Sequence, residues 1–243
     1  MNQTHGILRM DVGGVALAAV VILAGMAASA TTLVEYAASH PLRLFKATRG
    51  AVMPNTTDQT NTLEEGDKAL LLSSKGLTDI AGISALMVED EGVPVPIGSV
   101  KNLHLYFNHN QIAVIPDEIG KLKNVVYLYF ETNKLRSLPR ALMDMDSLIG
   151  MFYTHNEFTE IPPFVFDMTR LRKLQFSQNN ISVLPPEIGN LVELRHFNIS
   201  SNHVAVIPDT VSNLTLLRVC DLSDNRIASL PESFGNVQIV NQL

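Results

Sequence analysis

A period of 23 residues runs through the second half of this 243-residue chain and limits what it can fold into. Asn recurs at positions 110, 133, 156, 179, 202 and 225, and Pro recurs at 116, 139, 162, 185, 208 and 231. Four apolar columns keep the same step and begin at Leu105, Phe107, Ile112 and Ile115. A single unit cannot bury its own apolar edge, whereas stacked units can. The period therefore predicts a solenoid of repeated coils.

Each unit carries the signals for a short strand, a turn, and a segment that leads back to the start of the next strand, which we call the return. The two leading apolar residues alternate with period 2, so they point to one face of a strand. The Asn that follows can donate and accept hydrogen bonds, so stacked Asn side chains can satisfy backbone groups exposed by the turn. The Pro then fixes φ and stops the strand. The IGxLxxL stretch has apolar residues three apart, which predicts a short helical return.

The unit, written FSQNNISVLPPEIGNLVEL in Phe176–Leu194, resembles the leucine-rich-repeat family. It is similar to the 23-residue type with an LPxxIGxL segment, found in Ras-group scaffolds and in many bacterial proteins. The resemblance covers residues 95–243 closely and residues 68–94 loosely. It implies an α/β fold, a solenoid arc with a parallel sheet on its concave face, in which residues 99–243 hold six regular repeats.

Both ends of the repeat region are irregular. Residues 67–98 contain Leu70, Leu72 and further apolar positions of a repeat, but Lys75 stands where Asn is expected. We interpret them as a degenerate N-terminal cap with an extra loop over residues 88–96. Downstream, Val240 and Leu243 match the start of a seventh unit, so the last coil is incomplete. The pattern favours either a fragment of a longer protein or an open edge that a partner covers.

The N-terminal segment indicates export. Residues 12–33 carry no charge, Arg9 precedes them, and Ala28-Ser29-Ala30 fits a small-x-small cleavage site. We predict a signal peptide over residues 1–30 and a secreted, periplasmic or extracellular protein. The alternative is an uncleaved membrane anchor extending to Leu33, and basic residues after that segment would even favour a cytoplasmic domain. Residues 31–66 lose the repeat pattern, and we predict a flexible tether there.

Composition excludes several function classes. The net charge of −6 argues against nucleic acid as a partner, because phosphate binding needs clustered Lys and Arg. The single Cys220 lies in an inward column, which indicates a buried thiol. His109 and His155 share a column but lie two coils, ~10 Å, apart, too far to share one zinc ion. We find no catalytic motif and predict a protein that is not an enzyme and has no metal or cofactor.

The outward strand positions are the candidate binding residues. The first coils place aromatic residues there, and the later coils place polar ones. Clustered exposed aromatic residues make a plausible recognition surface, although aromatic residues also simply favour strands. We predict four anchors, Tyr106, Tyr127, Tyr129 and Phe152. We predict a polar surround of His104, Glu131, His155, Lys173 and Asp221.

These observations favour a non-enzymatic module that binds an unidentified protein or peptide through its concave face. Two alternatives stay open at the level of sequence. One is the ectodomain of a larger receptor or enzyme truncated at its C-terminus. The other is a structural subunit of an assembly, tethered to a membrane by Val12–Leu33.

Overall fold

The computed structural model describes residues 31–46, 64 and 66–236. These residues form short strands joined mostly by 3-10 helices, with one α-helix, α1 (Leu33–Ser39). The strands are β1 (Thr31–Thr32), β2 (Leu44–Lys46), β3 (Lys68–Leu71), β4 (Leu77–Asp79), β5 (Met87–Asp90), β6 (Val93–Pro96), β7 (Leu103–Tyr106), β8 (Val125–Tyr129), β9 (Gly150–Phe152), β10 (Lys173–Gln175), β11 (His196–Asn198) and β12 (Val219–Asp221). The 3-10 helices span Ile83–Ala85, Ile97–Ser99, Asp117–Lys121, Arg140–Asp144, Pro163–Asp167, Pro186–Asn190, Asp209–Asn213 and Glu232–Asn236.

One long sheet organises the molecule and confirms the predicted solenoid. Its strand order is β12-β11-β10-β9-β8-β7-β3-β2, and every pair is parallel except β2 with β3. Equivalent positions of successive repeats pair directly, as Leu128 does with Met151 and Leu174 with Phe197. The 23-residue period is therefore the path length of one coil.

The core lies on one side of this sheet. The column from Leu105 to Cys220 is fully buried in all six repeats. The column two residues further on forms an aromatic spine, in which the rings of Phe107 and Phe130 lie 4.9 Å apart and those of Tyr153 and Phe176 lie 5.2 Å apart. This continuous core explains how coils that are unstable alone stabilise one another.

A ladder of Asn side chains closes the turn of each coil, as predicted. The Oδ1 atom of Asn133 accepts the N–H of Ile112 at 3.0 Å, and its Nδ2 atom donates to the carbonyls of Phe107 and Phe130 at 2.9 and 3.1 Å. The same contacts recur at the equivalent residues, Asn156, Asn179, Asn202 and Asn225. The side chains thus pair backbone groups that would otherwise be buried without partners.

The predicted helical returns are 3-10 helices. Each of the five-residue returns from Asp117 to Asn213 follows a Pro at the N-cap, and this Pro is in extended conformation in every return except that after Pro162. Five residues allow little more than one helical turn, and the tighter 3-10 form is used in such short pieces. The returns stack against one another on the side of the core opposite the sheet.

The N-terminal cap differs from its prediction in one stretch. Strand β3 enters the long sheet beside β7, with Leu70 opposite Leu105, as a degenerate repeat should. Residues 88–96, predicted as a loop, lie instead in the antiparallel hairpin β5–β6. Glu91 and Gly92 at its tip both have positive φ, 52° and 84°. Two such residues form the tight turn that matches the twist of a hairpin.

Residues 31–46, which we predicted to be tether, form β1, α1 and β2. Thr32 and Glu35 make a reciprocal capping box at the start of α1, and Leu33 is fully buried. Residues 47–63 and 65 of the predicted tether, the predicted signal peptide over 1–30, and residues 237–243 lie outside the described residues. Within the described part of the chain, no helix combines the length and the apolar character that crossing a bilayer requires.

Replacing Tyr153 by Phe is expected to raise the free energy of unfolding by about 1 kcal/mol. The Tyr153 hydroxyl is buried in the aromatic spine and has no hydrogen-bond partner, so burial raises the pKa of this tyrosine. Removing an unpaired buried hydroxyl removes its desolvation penalty. Urea unfolding followed by circular dichroism measures the change, with Tyr36→Phe on α1 as the control. A loss of stability in Tyr153→Phe would contradict the assignment.

Candidate partner-binding face

The concave face of the sheet carries an aromatic cluster, which we define as Tyr106, Tyr129 and Phe152 with Tyr127 at its edge. The residues come from β7, β8 and β9, and strand register sets Tyr106 opposite Tyr129 and Tyr129 opposite Phe152. The rings of Tyr106 and Tyr129 stack 4.1 Å apart, and those of Tyr129 and Phe152 stack 4.5 Å apart. The four predicted anchors therefore share one face, and their role in binding stays a prediction.

The prediction that these anchors are exposed is wrong for three of them. Tyr129 and Phe152 are 0% exposed and Tyr106 is 1% exposed, whereas Tyr127 is partly exposed. Parallel stacking covers the ring faces, and at the cap edge Phe45 and Leu71 pack against the cluster. The sequence pattern specifies which way a side chain points from the sheet, but it carries no information on what lies against it.

Tyr127 owes its position to a glycine on the neighbouring strand. It pairs with Gly150, and a Cβ atom at residue 150 would lie 2.2 Å from Cδ1 of the Tyr127 ring. The ring therefore occupies the space that a side chain would fill. The Lys173 ammonium lies 5.9 Å from the centroid of the same ring, within the range of a cation–π contact. Tyr127 and Lys173, both predicted site residues, are thus in contact at the boundary between the aromatic cluster and the strands that carry polar side chains.

His104 and Glu131, predicted as an accessible polar surround, are also buried, each at 1% exposure. The Nε2 atom of His104 lies 3.2 Å from Oδ2 of Asp67, and its ring lies 4.7 Å from that of Tyr127. Glu131 is paired with Asn108, whose Nδ2 donates to Oε2 at 2.8 Å while the Glu131 N–H donates back to Oδ1 at 3.0 Å. Glu131 is therefore hydrogen-bonded to Asn108, and His104 lies at ion-pair distance from the Asp67 carboxylate.

The remaining two predicted residues lie apart from the cluster. His155 is exposed in the turn after β9 with φ of 57°, so it belongs to the rim of the sheet and not to its face. Asp221 is partly exposed on the edge strand β12, where its Oδ1 atom accepts the N–H and the hydroxyl of Ser223 at 3.1 and 2.6 Å. The structure thus joins seven of the nine predicted residues into one region and separates these two.

Two partners in this region were missed at the level of sequence. Asn108 lies 23 residues before Glu131, so the repeat period itself would have identified the pair. Asp67 is the first residue of the cap and has no counterpart in the repeat period, so no sequence signal connects it to His104. Among the described residues, no three His, Cys, Asp or Glu side chains are grouped to hold a metal ion. Burial raises the pKa of the Cys220 thiol to about 12, with a smaller contribution from Asp221, so this thiol is protonated at neutral pH.

Replacing Asp67 by Asn is expected to lower stability at neutral pH but not in acid. Burial opposes ionisation of Asp67, but hydrogen bonds from His104 and from the Glu64 N–H outweigh it and hold the pKa below its ordinary value of 3.8. A lowered pKa stabilises the fold above pH ~4, and this contribution disappears as the pH falls through the folded-state pKa. The melting temperatures of the two proteins should differ at pH 7, and the difference should shrink steadily as the pH falls below about 4. A difference that does not shrink in acid would contradict an ionised Asp67.

The sheet, the Asn ladder and the 3-10 returns together define a leucine-rich-repeat solenoid. A leucine-rich-repeat family model matches residues 154–204, and a second one matches residues 216–237. These stretches of the chain are therefore leucine-rich repeats, and the fold around them is a leucine-rich-repeat solenoid. Leucine-rich-repeat proteins are typically protein-binding modules on a scaffold that is usually non-enzymatic. No curated protein matches the chain.

Two solved bacterial structures share the fold. An internalin from Listeria monocytogenes is 23% identical with a TM-score of 0.55, covering 70% of this chain and 46% of its own. A leucine-rich-repeat protein from Leptospira interrogans is 22% identical with a TM-score of 0.52, covering 74% of this chain and 48% of its own. The plant peptide hormone receptor RGFR1 in complex with RGF2 is 32% identical with a TM-score of 0.48, and the match covers 59% of this chain and 24% of the receptor chain. The chain thus spans about half the length of the two bacterial proteins.

Proposed function

We propose that this protein is a non-enzymatic module that binds a protein or peptide through the concave face of its sheet. The observation that carries the proposal is the aromatic cluster on the face opposite the core. The main core is complete without these rings, because it occupies the other side of the sheet. The buried rings support Tyr127 at the edge of the cluster, and this partly exposed side chain offers contact area with few rotatable bonds, which suits recognition.

The accessible contact surface begins where the aromatic cluster ends. Tyr127 on β8 and Lys173 on β10 are partly exposed and meet over Gly150 of the intervening strand β9. Polar side chains continue the surface on β11 and β12 through His196, Asn198 and Asp221, all partly exposed. An aromatic ring beside a cation and a polar row can hold both apolar and hydrogen-bonding groups of an extended partner.

Binding outside the cytoplasm is part of the same proposal. The uncharged segment over residues 12–26 and the Ala28-Ser29-Ala30 site support export, and the alternative is a membrane anchor. Mass spectrometry of the protein from its native cells distinguishes the two. A mature N-terminus at Thr31 supports cleavage, and an intact N-terminus supports the anchor.

Lys173→Glu is the sharpest test of the binding face. It reverses the charge beside Tyr127 without touching the core, so we expect capture of the partner from the organism's own extracellular extract to fall about tenfold, or ~1.4 kcal/mol. Tyr127→Ala should have a similar effect. The control is Val206→Ser, because Val206 is 71% exposed and lies away from the sheet. Equal capture by all variants, with unchanged circular dichroism, would overturn the proposal.

A further inference from the structure

Three arginines from consecutive coils form one row, each immediately before one of the strands β10, β11 and β12. The backbone N–H of Arg195 donates to the carbonyl of Arg172 at 2.9 Å, and the N–H of Arg218 donates to the carbonyl of Arg195 at 2.8 Å. These contacts stack the three residues at the ~4.8 Å spacing of neighbouring strands. Arg172 and Arg218 are exposed, and Arg195 is partly exposed. We call these three residues the arginine row.

The fold does not require arginine at this position of the repeat. The equivalent residues of the two preceding coils are Val126 and Ile149, and the N–H of Ile149 donates to the carbonyl of Val126 at 2.9 Å in the same way. Stacked coils impose one environment on equivalent positions, so a structural role alone would not need a change from apolar residues to arginine. The change falls between β9 and β10, where the concave face also changes from Phe152 to Gln175. Two columns therefore change chemical class at the same coil.

The arginine row concentrates positive charge on a chain whose net charge is −6. Guanidinium groups on neighbouring coils repel one another. Oε2 of Glu193 lies 4.0 Å from Nε of Arg172, and both side chains are about half exposed, so this ion pair is weak. Among the residues that the structure describes, no carboxylate lies within 4.0 Å of Arg195 or Arg218. An anionic ligand would offset the repulsion within the row.

We propose that the arginine row binds an acidic segment of the partner protein, a run of about four Asp or Glu residues in extended conformation. The inference rests on the proposed function, because it names the chemistry of the partner at the edge of the same binding face. Lys173 and His196 directly follow Arg172 and Arg195 and are partly exposed. The row is therefore continuous with the accessible part of the concave face.

The geometry of the arginine row fits such a segment. The two strand spacings from Arg172 to Arg218 amount to ~10 Å, and four residues of an extended chain span the same ~10 Å at ~3.3 Å per step. A guanidinium group can hold a carboxylate through two parallel hydrogen bonds, whereas a lysine ammonium acts as a point charge. A long polyanion such as nucleic acid would extend past the row onto a chain of net negative charge. The row therefore favours a short acidic peptide segment.

Fluorescence anisotropy with labelled peptides tests the proposal on the full chain. The probe has four glutamates flanked by glycines, and the comparison peptide has four glutamines in their place. At about 50 mM NaCl we expect the glutamate peptide to bind at least ~tenfold more tightly, and we expect this preference to disappear near ~0.5 M NaCl because salt screens exposed charges. Equal binding of the two peptides at low salt would overturn the proposal. Tighter binding of a single-stranded DNA with four phosphodiester charges would show that the row selects phosphate, and it would also overturn the proposal.

Substitutions in the row locate the binding. Arg195→Gln removes the central charge, so we expect the affinity for the glutamate peptide to fall at least ~fivefold. Arg218→Gln gives a second position should the first variant not fold, as circular dichroism reports. The matched control is Arg140→Gln, which removes the same charge from an exposed residue on the Arg140–Asp144 return and should leave the affinity unchanged. An unchanged affinity in a folded row variant, or an equal loss in Arg140→Gln, would contradict the proposal.

The two proposals fail separately. If the glutamate peptide does not bind but Lys173→Glu still weakens partner capture, the concave face binds a partner and only the acidic segment is wrong. If Arg195→Gln weakens binding of the glutamate peptide but Lys173→Glu and Tyr127→Ala leave capture unchanged, the row binds acidic segments and the proposed function of the concave face is wrong.

Discussion

Asn156→Ala is expected to lower the free energy of unfolding by about 3 kcal/mol. The Oδ1 atom of Asn156 accepts the N–H of Leu135 at 3.0 Å, and its Nδ2 atom donates to the carbonyls of Phe130 and Tyr153 at 2.9 and 3.1 Å. The side chain is 6% exposed, so water cannot replace these contacts. Each buried backbone group left unpaired costs about 1–3 kcal/mol. Urea unfolding followed by circular dichroism measures the loss.

The same substitution at the end of the ladder provides the control. Asn225 makes equivalent contacts with the N–H of Val204 and the carbonyls of Ile199 and Leu222, at 2.9 to 3.0 Å. It is only partly buried, so water can reach the groups that Asn225→Ala would release. We expect a loss near 1 kcal/mol there. If both variants lose equal stability, burial does not set the contribution of the ladder.

The ladder also shows why so much of the fold could be predicted. Each position of the repeat occurs six times in the sequence. A residue type that recurs at one position, as in the inward apolar columns, the Asn of the turn and the Pro that ends the strand, can therefore be distinguished from chance composition. The residues that the period marks as inward, such as Leu128 and Leu174, are buried at 0% exposure. Stacking neighbours impose the same environment on every copy, which is why one column repeats one chemical class.

Residues 31–46 lack this redundancy, and there the prediction of a flexible tether was wrong. Thr32 and Glu35 carry a capping-box spacing that the sequence displays, but a single such match in an aperiodic stretch is weak. Whether Leu33 enters a core depends on the β4 surface against which it packs. No local pattern specifies that surface, so residues 31–46 could not be assigned to the folded body from sequence alone.

The sequence predicts on which face of the sheet the candidate site residues lie, but it does not predict how deeply they are buried. Strand alternation correctly places Tyr129 and Phe152 on the face opposite Leu128 and Met151. Their exposure depends on neighbours from other coils and from the cap, including Phe45 on β2. The pairing of His104 with Asp67 likewise joins a repeat position to an aperiodic one. The repeat columns specify the face on which a side chain lies, whereas its contacts with residues outside the repeat depend on the three-dimensional fold.

Gly120→Ala is expected to lower the free energy of unfolding by about 2–3 kcal/mol. Gly120 ends the IG pair of the Asp117–Lys121 return, which stacks on the Arg140–Asp144 return of the next coil. A Cβ atom on residue 120 would lie 2.3 Å from the carbonyl oxygen of Ala141 and 3.0 Å from its carbonyl carbon. Backbone cannot rotate away as a side chain can, so the two returns must separate and loosen the core between them.

Gly235→Ala tests the same repeat position without the neighbour. Gly235 lies five periods after Gly120, in the Glu232–Asn236 return, and no atom of the residues that the structure describes lies within 4 Å of where its Cβ would be. We expect no loss there, and a gain of up to ~1 kcal/mol because Ala restricts the unfolded chain. Thermal unfolding of both variants checks the contrast. Equal losses at residues 120 and 235 would show that the glycine is needed for its own backbone conformation, and that close stacking of neighbouring coils is not the reason for it.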